Sequence, residues 1–320
     1  MVADGAAGAA AAALVLGPAP AALPTDWPHR VHSHGVHAGG LHWHLQHMAS
    51  PLAAGAGPAP VALLLHGTGA SSHSFAQLAP LLARHYTVLV PDLPGHAHTQ
   101  RPTRDEGLSL PGMAQAVGAL LKTLRVQPAL VLGHSAGAAV AARLCLDGHC
   151  APQHLVSLNG AWFPPRGVGN WWYAPAAKLL VRNPLVPRFF AWQASQPRML
   201  QRLLDSTGST LDAAAAAPYA RLVADPAHVA AVLAMMAAWD LRPLLRDLPR
   251  LAPRLHLVAG ERDTTIAPRE AFQVQQMVPG STLSGLPGLG HLAHEEDPVR
   301  VAALLAGLVQ ARPQGVDAPD

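Results

Sequence analysis

A chain of 320 residues, half of them hydrophobic, has ample material for one large α/β domain with an insertion, or for two small domains. Only 13% of residues are charged, and the formal net charge of +3 rests on arginine, with Lys122 and Lys178 the only lysines. No block of basic residues stands out, which argues against a nucleic-acid partner. Outside residues 5–23, nothing approaches the roughly 20 consecutive apolar residues of a bilayer-spanning helix.

Residues 1–28 are rich in Ala and Pro. The stretch has the hydrophobicity of a signal peptide but no positively charged start, Asp4 being its only early charge. It reads as a disordered or loosely helical extension of a cytoplasmic protein. Residues 29–47 hold seven histidines: His29, His32, His34, His37, His42, His44 and His47. A Gly39-Gly40 turn between two alternating runs predicts a β-hairpin. Leu41, Trp43 and Leu45 share one face, and His42 and His44 the other. Metal sites usually add carboxylates or cysteines, so these histidines are expected to be solvated, and no metal or cofactor is expected anywhere in the chain.

Residues 50–60 read as a surface loop. Val61–Leu65 is a wholly apolar strand, as expected in a parallel sheet covered on both faces. It ends in His66-Gly67-Thr68-Gly69-Ala70-Ser71, small residues that leave backbone N–H groups open. Thr68 is the candidate oxyanion donor from this loop, with Gly69 as the alternative. A helix is expected over residues 75–84 and a strand over 86–90. Asp92, just beyond that strand, is expected to brace loops rather than act in chemistry. Residues 110–125 form an amphipathic helix.

The apolar run Leu130-Val131-Leu132 then stops at Gly133-His134-Ser135-Ala136-Gly137, and an alanine-rich helix follows. This is G-x-S-x-G in its strand–turn–helix setting, with a nucleophilic serine raised at the turn. The new helix aims its N-terminus at the serine, which makes the Ala136 N–H the second oxyanion candidate. Cys145 and Cys150 flank the far end of that helix and read as reduced, buried thiols. Residues 155–158 form a further strand, closed by Asn159-Gly160.

Residues 161–247 break the strand–helix rhythm and carry five of the seven tryptophans. They are expected to form a helical lid over the serine. Trp162, Trp171, Trp172, Met236 and Trp239 are its candidate substrate-contacting residues. Trp171 and Trp172 cannot both point inward on one helix face. With Lys178, Arg182 and Arg188 near them, they suggest contact with a large flat apolar ligand or a membrane surface. The α/β rhythm resumes with a strand at 255–259, a helix at 268–277, a strand at 281–284 and a final helix. Residues 29–160 and 248–311 are thus expected to form one core, and 312–320 a disordered tail.

A serine hydroxyl needs a base within hydrogen-bond reach, and that base needs a third group to fix its tautomer. Asp263 and His291 both follow strands, so they would meet Ser135 at the carboxyl edge of the sheet, where open α/β sheets place their sites. Ser…Asp…His is also the chain order of α/β-hydrolases. Glu261 and His294 are the rivals. The loop apex favours Asp263, and the flanking Gly288 and Gly290 favour His291.

These motifs resemble the α/β-hydrolase superfamily from about Val36 to Val309. Within it the chain resembles the BchO family of magnesium-chelatase accessory proteins of bacteriochlorophyll biosynthesis. The likeness rests on residues 36–44 (Val-His-Ala-Gly-Gly-Leu-His-Trp-His), 65–71, 108–113, 133–139, 156–161, 183–188, 235–241 and 286–296. The resemblance implies a mostly parallel eight-stranded sheet with helices on both faces. It also implies a triad of Ser135, Asp263 and His291, and a role in magnesium-tetrapyrrole biosynthesis, with a tetrapyrrole substrate and chelatase subunits as candidate partners. General hydrolases often continue Pro-Gly-His with glycine, whereas Ala97-His98 follows here. Three functions are carried forward: a serine hydrolase of an ester-type bond, a non-catalytic accessory or porphyrin-binding protein, and a generic carboxylesterase or C–C bond hydrolase.

Overall fold

The computed structural model describes residues 14–51, 59–164, 183 and 185–310. Eight strands form one sheet: β1 (Ser33–Ala38), β2 (Leu41–Met48), β3 (Val61–Leu65), β4 (Thr87–Pro91), β5 (Pro128–His134), β6 (His154–Leu158), β7 (Arg254–Gly260) and β8 (Thr282–Leu286). Their spatial order is β1-β2-β4-β3-β5-β6-β7-β8. Only β2 runs against its neighbours; from β4 to β8 every pairing is parallel.

The strand interiors are near-continuous apolar runs because helices cover both faces. One core cluster packs α2 (Leu110–Leu124) and α3 (Ala136–Leu146) against Leu63, Leu65, Val131 and Leu257. The other packs α1 (Leu78–Leu82) and α11 (Pro298–Gln310) against Leu64, Val90, Leu132 and Val258. The predicted helix over 75–84 is shorter than expected. Ser72–Phe75 is a 3-10 turn, and α1 starts only at Leu78. Pro80 explains the start, since a residue without an N–H fits only the first turn of a helix.

Between β6 and β7 lies a helical insertion: α4 (Leu185–Ala194), α5 (Pro197–Asp205), α6 (Ala213–Ala224), α7 (Pro226–Ala238) and α8 (Arg242–Asp247). Asp247, closing α8, pairs with Arg143 of α3 at 2.8 Å and so ties the end of the insertion to the core. The last helices, α9 (Arg269–Met277) and the short α10 (Ala293–Glu296), follow β7 and β8.

Two expectations need correction. The stretch before residue 29 is not free of the core where it is described. Gly17 bridges Gly35 of β1, and Leu23 and Trp27 are buried with Leu222 of α6. The gain is the usual one for removing apolar surface from water. Residues 1–13 lie outside the described residues, as does the tail beyond 310. The histidines of the hairpin are not all solvated either. His42 is exposed, but His44 is fully buried, its Nδ1 2.7 Å from Asp92 Oδ2 and its Nε2 2.9 Å from Ser33 Oγ. The face of β2 that carries His44 and Gln46 is covered by Ser33, Asp92, His98 and the Pro28 carbonyl, so alternation loses its meaning there. The two cysteines are free thiols, their Sγ atoms 3.8 Å apart.

Candidate active site

Ser135 caps α3 with φ 51° and ψ −121°, a left-handed turn that a side chain rarely adopts. The neighbours allow no alternative. A Cβ on Gly133 would lie 2.4 Å from the Gly137 carbonyl, and one on Gly137 would lie 2.1 Å from Leu65 O. Backbone bonds then hold the elbow. The Ser135 N–H donates to Leu158 O at 3.1 Å, and its carbonyl accepts the Ala138 and Ala161 N–H groups. The strain is thus locked by β6 on one side and α3 on the other.

The loop after β3 closes on this elbow: a Cβ on Gly67 would meet Ser135 Cβ at 2.9 Å. Gly69 takes φ +75°, and the Ala70 N–H closes the turn onto Gly67 O. Among the described residues the Thr68 and Ala136 N–H groups have no acceptor. Ala136 opens α3, where a helix leaves its N–H groups unpaired. His66 fixes the base of the loop, with Nδ1 donating to Gly67 O and Nε2 accepting the Leu93 N–H, both at 2.8 Å. Burial pushes its pKa down to about 4, so it stays neutral.

Asp263 and His291, each just beyond a strand, meet: Nδ1 of His291 lies 2.8 Å from Oδ2 of Asp263, and both side chains are buried. The carboxylate has four donors. Oδ1 accepts the Thr265 and Ile266 N–H groups, and Oδ2 accepts His291 Nδ1 and Asn159 Nδ2. That leaves no lone pair to spare, which fixes both the carboxylate plane and the His291 tautomer. His291 is held at its backbone too, where its N–H donates to Thr207 O and its carbonyl accepts His134 Nε2 at 2.9 Å. The His134 ring lies 4.8 Å from that of His291, and burial holds its pKa well below the usual histidine value. In this conformation Ser135 Oγ has no hydrogen-bond partner among the described residues, and neither has His291 Nε2.

The rivals lie elsewhere. Glu261 is exposed at the β7 end. His294 is fully buried, with Nε2 bonded to Ser74 Oγ at 2.9 Å. Asp92 braces loops: it accepts the Ser72 and His98 N–H groups as well as His44 Nδ1. Burial alone would raise its pKa, but His44 and the Ser72 N–H outweigh burial and hold it low.

The lid candidates divide. Trp162 has no exposed surface and gives its Nε1–H to Ser157 Oγ at 3.1 Å, so it is core and the substrate-contact expectation is corrected. Trp239 packs half-buried against the same core, and Met236 is exposed. Trp171 and Trp172 lie outside the described residues.

Sequence reasoning missed the residues that hold the triad candidates in place. Asn159, at φ +48°, reads in sequence as a turn signal with its glycine neighbour, not as a partner for a carboxylate. The segment between α5 and α6 clamps the His291 loop. Besides Thr207 O, Ser209 Oγ accepts the Leu292 N–H at 2.8 Å, and Glu296 bridges the Gly290 and Thr210 N–H groups.

A serine raised at a strand-to-helix turn and a buried Asp–His pair, at one edge of an eight-stranded sheet of this order, define a class. The α/β-hydrolase family model matches residues 62–304, and the chain belongs to that family. The magnesium-chelatase 30 kDa subunit of Rhodobacter capsulatus is 39% identical over 284 residues, covering 86% of this chain and 94% of that protein. An uncharacterized protein of Mycobacterium tuberculosis is 28% identical over 267 residues, 77% of this chain and 74% of that one. Among solved structures, the epoxide hydrolase CorEH superposes with a TM-score of 0.69 at 21% identity, covering 86% of this chain and 97% of its own. An esterase from Exiguobacterium antarcticum gives 0.67 at 18% identity, covering 87% and 99%. At such identities the structures show the fold alone.

Proposed function

We propose that the chain is a serine hydrolase of an ester-type acyl bond, serving magnesium-tetrapyrrole biosynthesis. The observation that carries the reading is the buried His291–Asp263 pair at the same sheet edge as the strained Ser135. In this reading His291 Nε2 takes the Ser135 proton as Oγ attacks the substrate carbonyl. The Thr68 and Ala136 N–H groups hold the oxyanion. The protonated imidazole then delivers the proton to the leaving alcohol. Water, deprotonated by His291, attacks the acyl-enzyme and releases the acid and free Ser135. The Ser135–His291 bond is made as substrate enters, which is common where free-enzyme geometry is loose. The helical insertion acts as the lid, with Trp171, Trp172, Met236 and Trp239 as its proposed substrate contacts. The pathway rests on the relative in Rhodobacter capsulatus that is named as a magnesium-chelatase subunit.

Ser135→Ala should abolish labelling by a fluorophosphonate and lower p-nitrophenyl ester turnover by about a million-fold. The missing Ser135–His291 bond, together with that relative's name, favours a second reading: a non-catalytic accessory protein that binds a porphyrin or chelatase subunits. Pigment profiling of a deletion strain separates the two. Rescue by wild type and not by Ser135→Ala supports catalysis, and full rescue by Ser135→Ala gives the role to binding. An unchanged pigment profile on deletion leaves a generic esterase or C–C bond hydrolase.

A further inference from the structure

An amphipathic helix normally turns its i, i+3, i+4, i+7 apolar stripe to the core. In α4 that stripe faces outward. Leu185, Phe189 and Trp192 are 64%, 55% and 63% exposed, and Phe190 beside them is 43% exposed. The buried residues of α4 are Pro187 and Ala191, its small side, which packs on α7 and α6. The three aromatics are gathered, with ring centroids of Phe189 to Phe190 at 5.9 Å and Phe189 to Trp192 at 6.0 Å. Leu203 of the neighbouring α5 is exposed as well. Apolar side chains left in water in one contiguous patch mark a contact surface.

The charges around the patch say what it meets. α4 has no acidic residue, and Arg188 stands within its exposed stripe. Arg198 and Arg202 of α5 are exposed, against a single carboxylate, Asp205, at the helix end. None of the three arginines pairs with a carboxylate among the described residues. Aromatic rings with a polar or polarisable rim settle at the bilayer interface, and arginines keep their heads among the phosphates. A soluble partner's greasy groove would take the rings but would leave three guanidiniums unpaired. An anionic bilayer satisfies both.

We propose that the outer face of α4, with the adjoining arginines of α5, is a docking surface for an anionic lipid bilayer. Leu185, Phe189, Phe190 and Trp192 enter the interface, and Arg188, Arg198 and Arg202 meet the head groups. The surface is built without Ser135, Asp263 or His291, so it stands whether or not the chain is a hydrolase.

The test is co-sedimentation of the full chain with phosphatidylcholine vesicles, with and without phosphatidylglycerol, at low and high salt. Binding is expected only with phosphatidylglycerol and should weaken as salt rises. Phe189→Ser with Trp192→Ser should cut the partition coefficient by about tenfold per ring removed. Arg198→Gln with Arg202→Gln should cut it by roughly fivefold per charge. All four positions are exposed, so unchanged circular dichroism and melting are expected of the variants. No sedimentation, salt-independent sedimentation with phosphatidylcholine alone, or binding unchanged in the variants would each overturn the proposal. So would a dimer in solution, abolished by the aromatic substitutions, which gives the patch to a second copy of the chain.

Discussion

Asn159 places its Nδ2 2.8 Å from the oxygen of Asp263 that also holds His291. A hydrogen bond to a charged group is worth about 1.5–3 kcal/mol. Asn159→Ala should therefore lower ester turnover by about 10- to 100-fold in kcat with KM nearly unchanged, because the carboxylate swings and the imidazole loses its preferred tautomer. An unchanged kcat would show that the two backbone N–H groups on Oδ1 suffice. Asp92 is the parallel case for structure: Asp92→Asn should cost about 2–3 kcal/mol of stability, read by urea midpoint, since the amide must give up acceptor sites to three donors. At this scale the sequence displayed the candidate residues and hid their supports. The turn at Ser135 and the meeting of Asp263 with His291 were legible because each residue follows a strand and the three residue types come in a telling order. Asn159 was not, because Asn-Gly after a strand says only that the chain turns. His44 was misjudged because alternation predicts a wet face only when one side of the strand is uncovered.

At the scale of elements, the sheet was readable from its apolar runs, while the insertion yielded only its helical character. Which part of the insertion touches the core depends on loop hydrogen bonds that no periodicity encodes. The segment after α5 grips the His291 loop through Thr207 O, Ser209 Oγ and the Thr210 N–H. α6 adds a second grip, with Tyr219 donating to Glu295 Oε1 at 2.7 Å and Ser74 Oγ reaching the same oxygen at 2.5 Å. The insertion and the His291 loop are thus coupled. Ser209→Ala should speed hydrogen exchange of the Leu292 amide by about tenfold, in line with one lost bond of roughly 1–1.5 kcal/mol, and should loosen His291 in the same experiment. Exchange unchanged at Leu292 would mean that the loop holds itself.

For the whole molecule, the feature with the widest reach is its stock of buried imidazoles. Burial pushes His66 and His256 down to about 4 and His73 and His294 to about 3, and lowers His96, His134 and His228. A histidine whose folded pKa lies below its unfolded value of about 6.5 adds stability above that value and loses it as pH falls. Glu295 works in the opposite sense. Burial raises it to about 7, so its contribution is full below the ordinary carboxyl range and declines as pH rises towards 7. Seven depressed histidines outweigh one raised carboxyl. The melting temperature should therefore fall steeply between about pH 6.5 and 4. A melting temperature flat across that range would mean that the histidines are solvated in the folded state. No single helix among the described residues is long and apolar enough to cross a membrane.

The strand order carries a consequence in time. Among the described residues β8 is the outer member of the sheet and pairs with β7 alone, and the segment bearing His291 follows directly behind it. A chain growing from its amino end builds the serine elbow while the imidazole is still more than a hundred residues from being synthesised. On the proposed hydrolase reading, a chain frayed at its last strand would keep the elbow yet lose its base and fall chemically silent. Reactivity toward a fluorophosphonate would report completion of the carboxy-terminal third, and its loss would be the first sign that this edge has come undone.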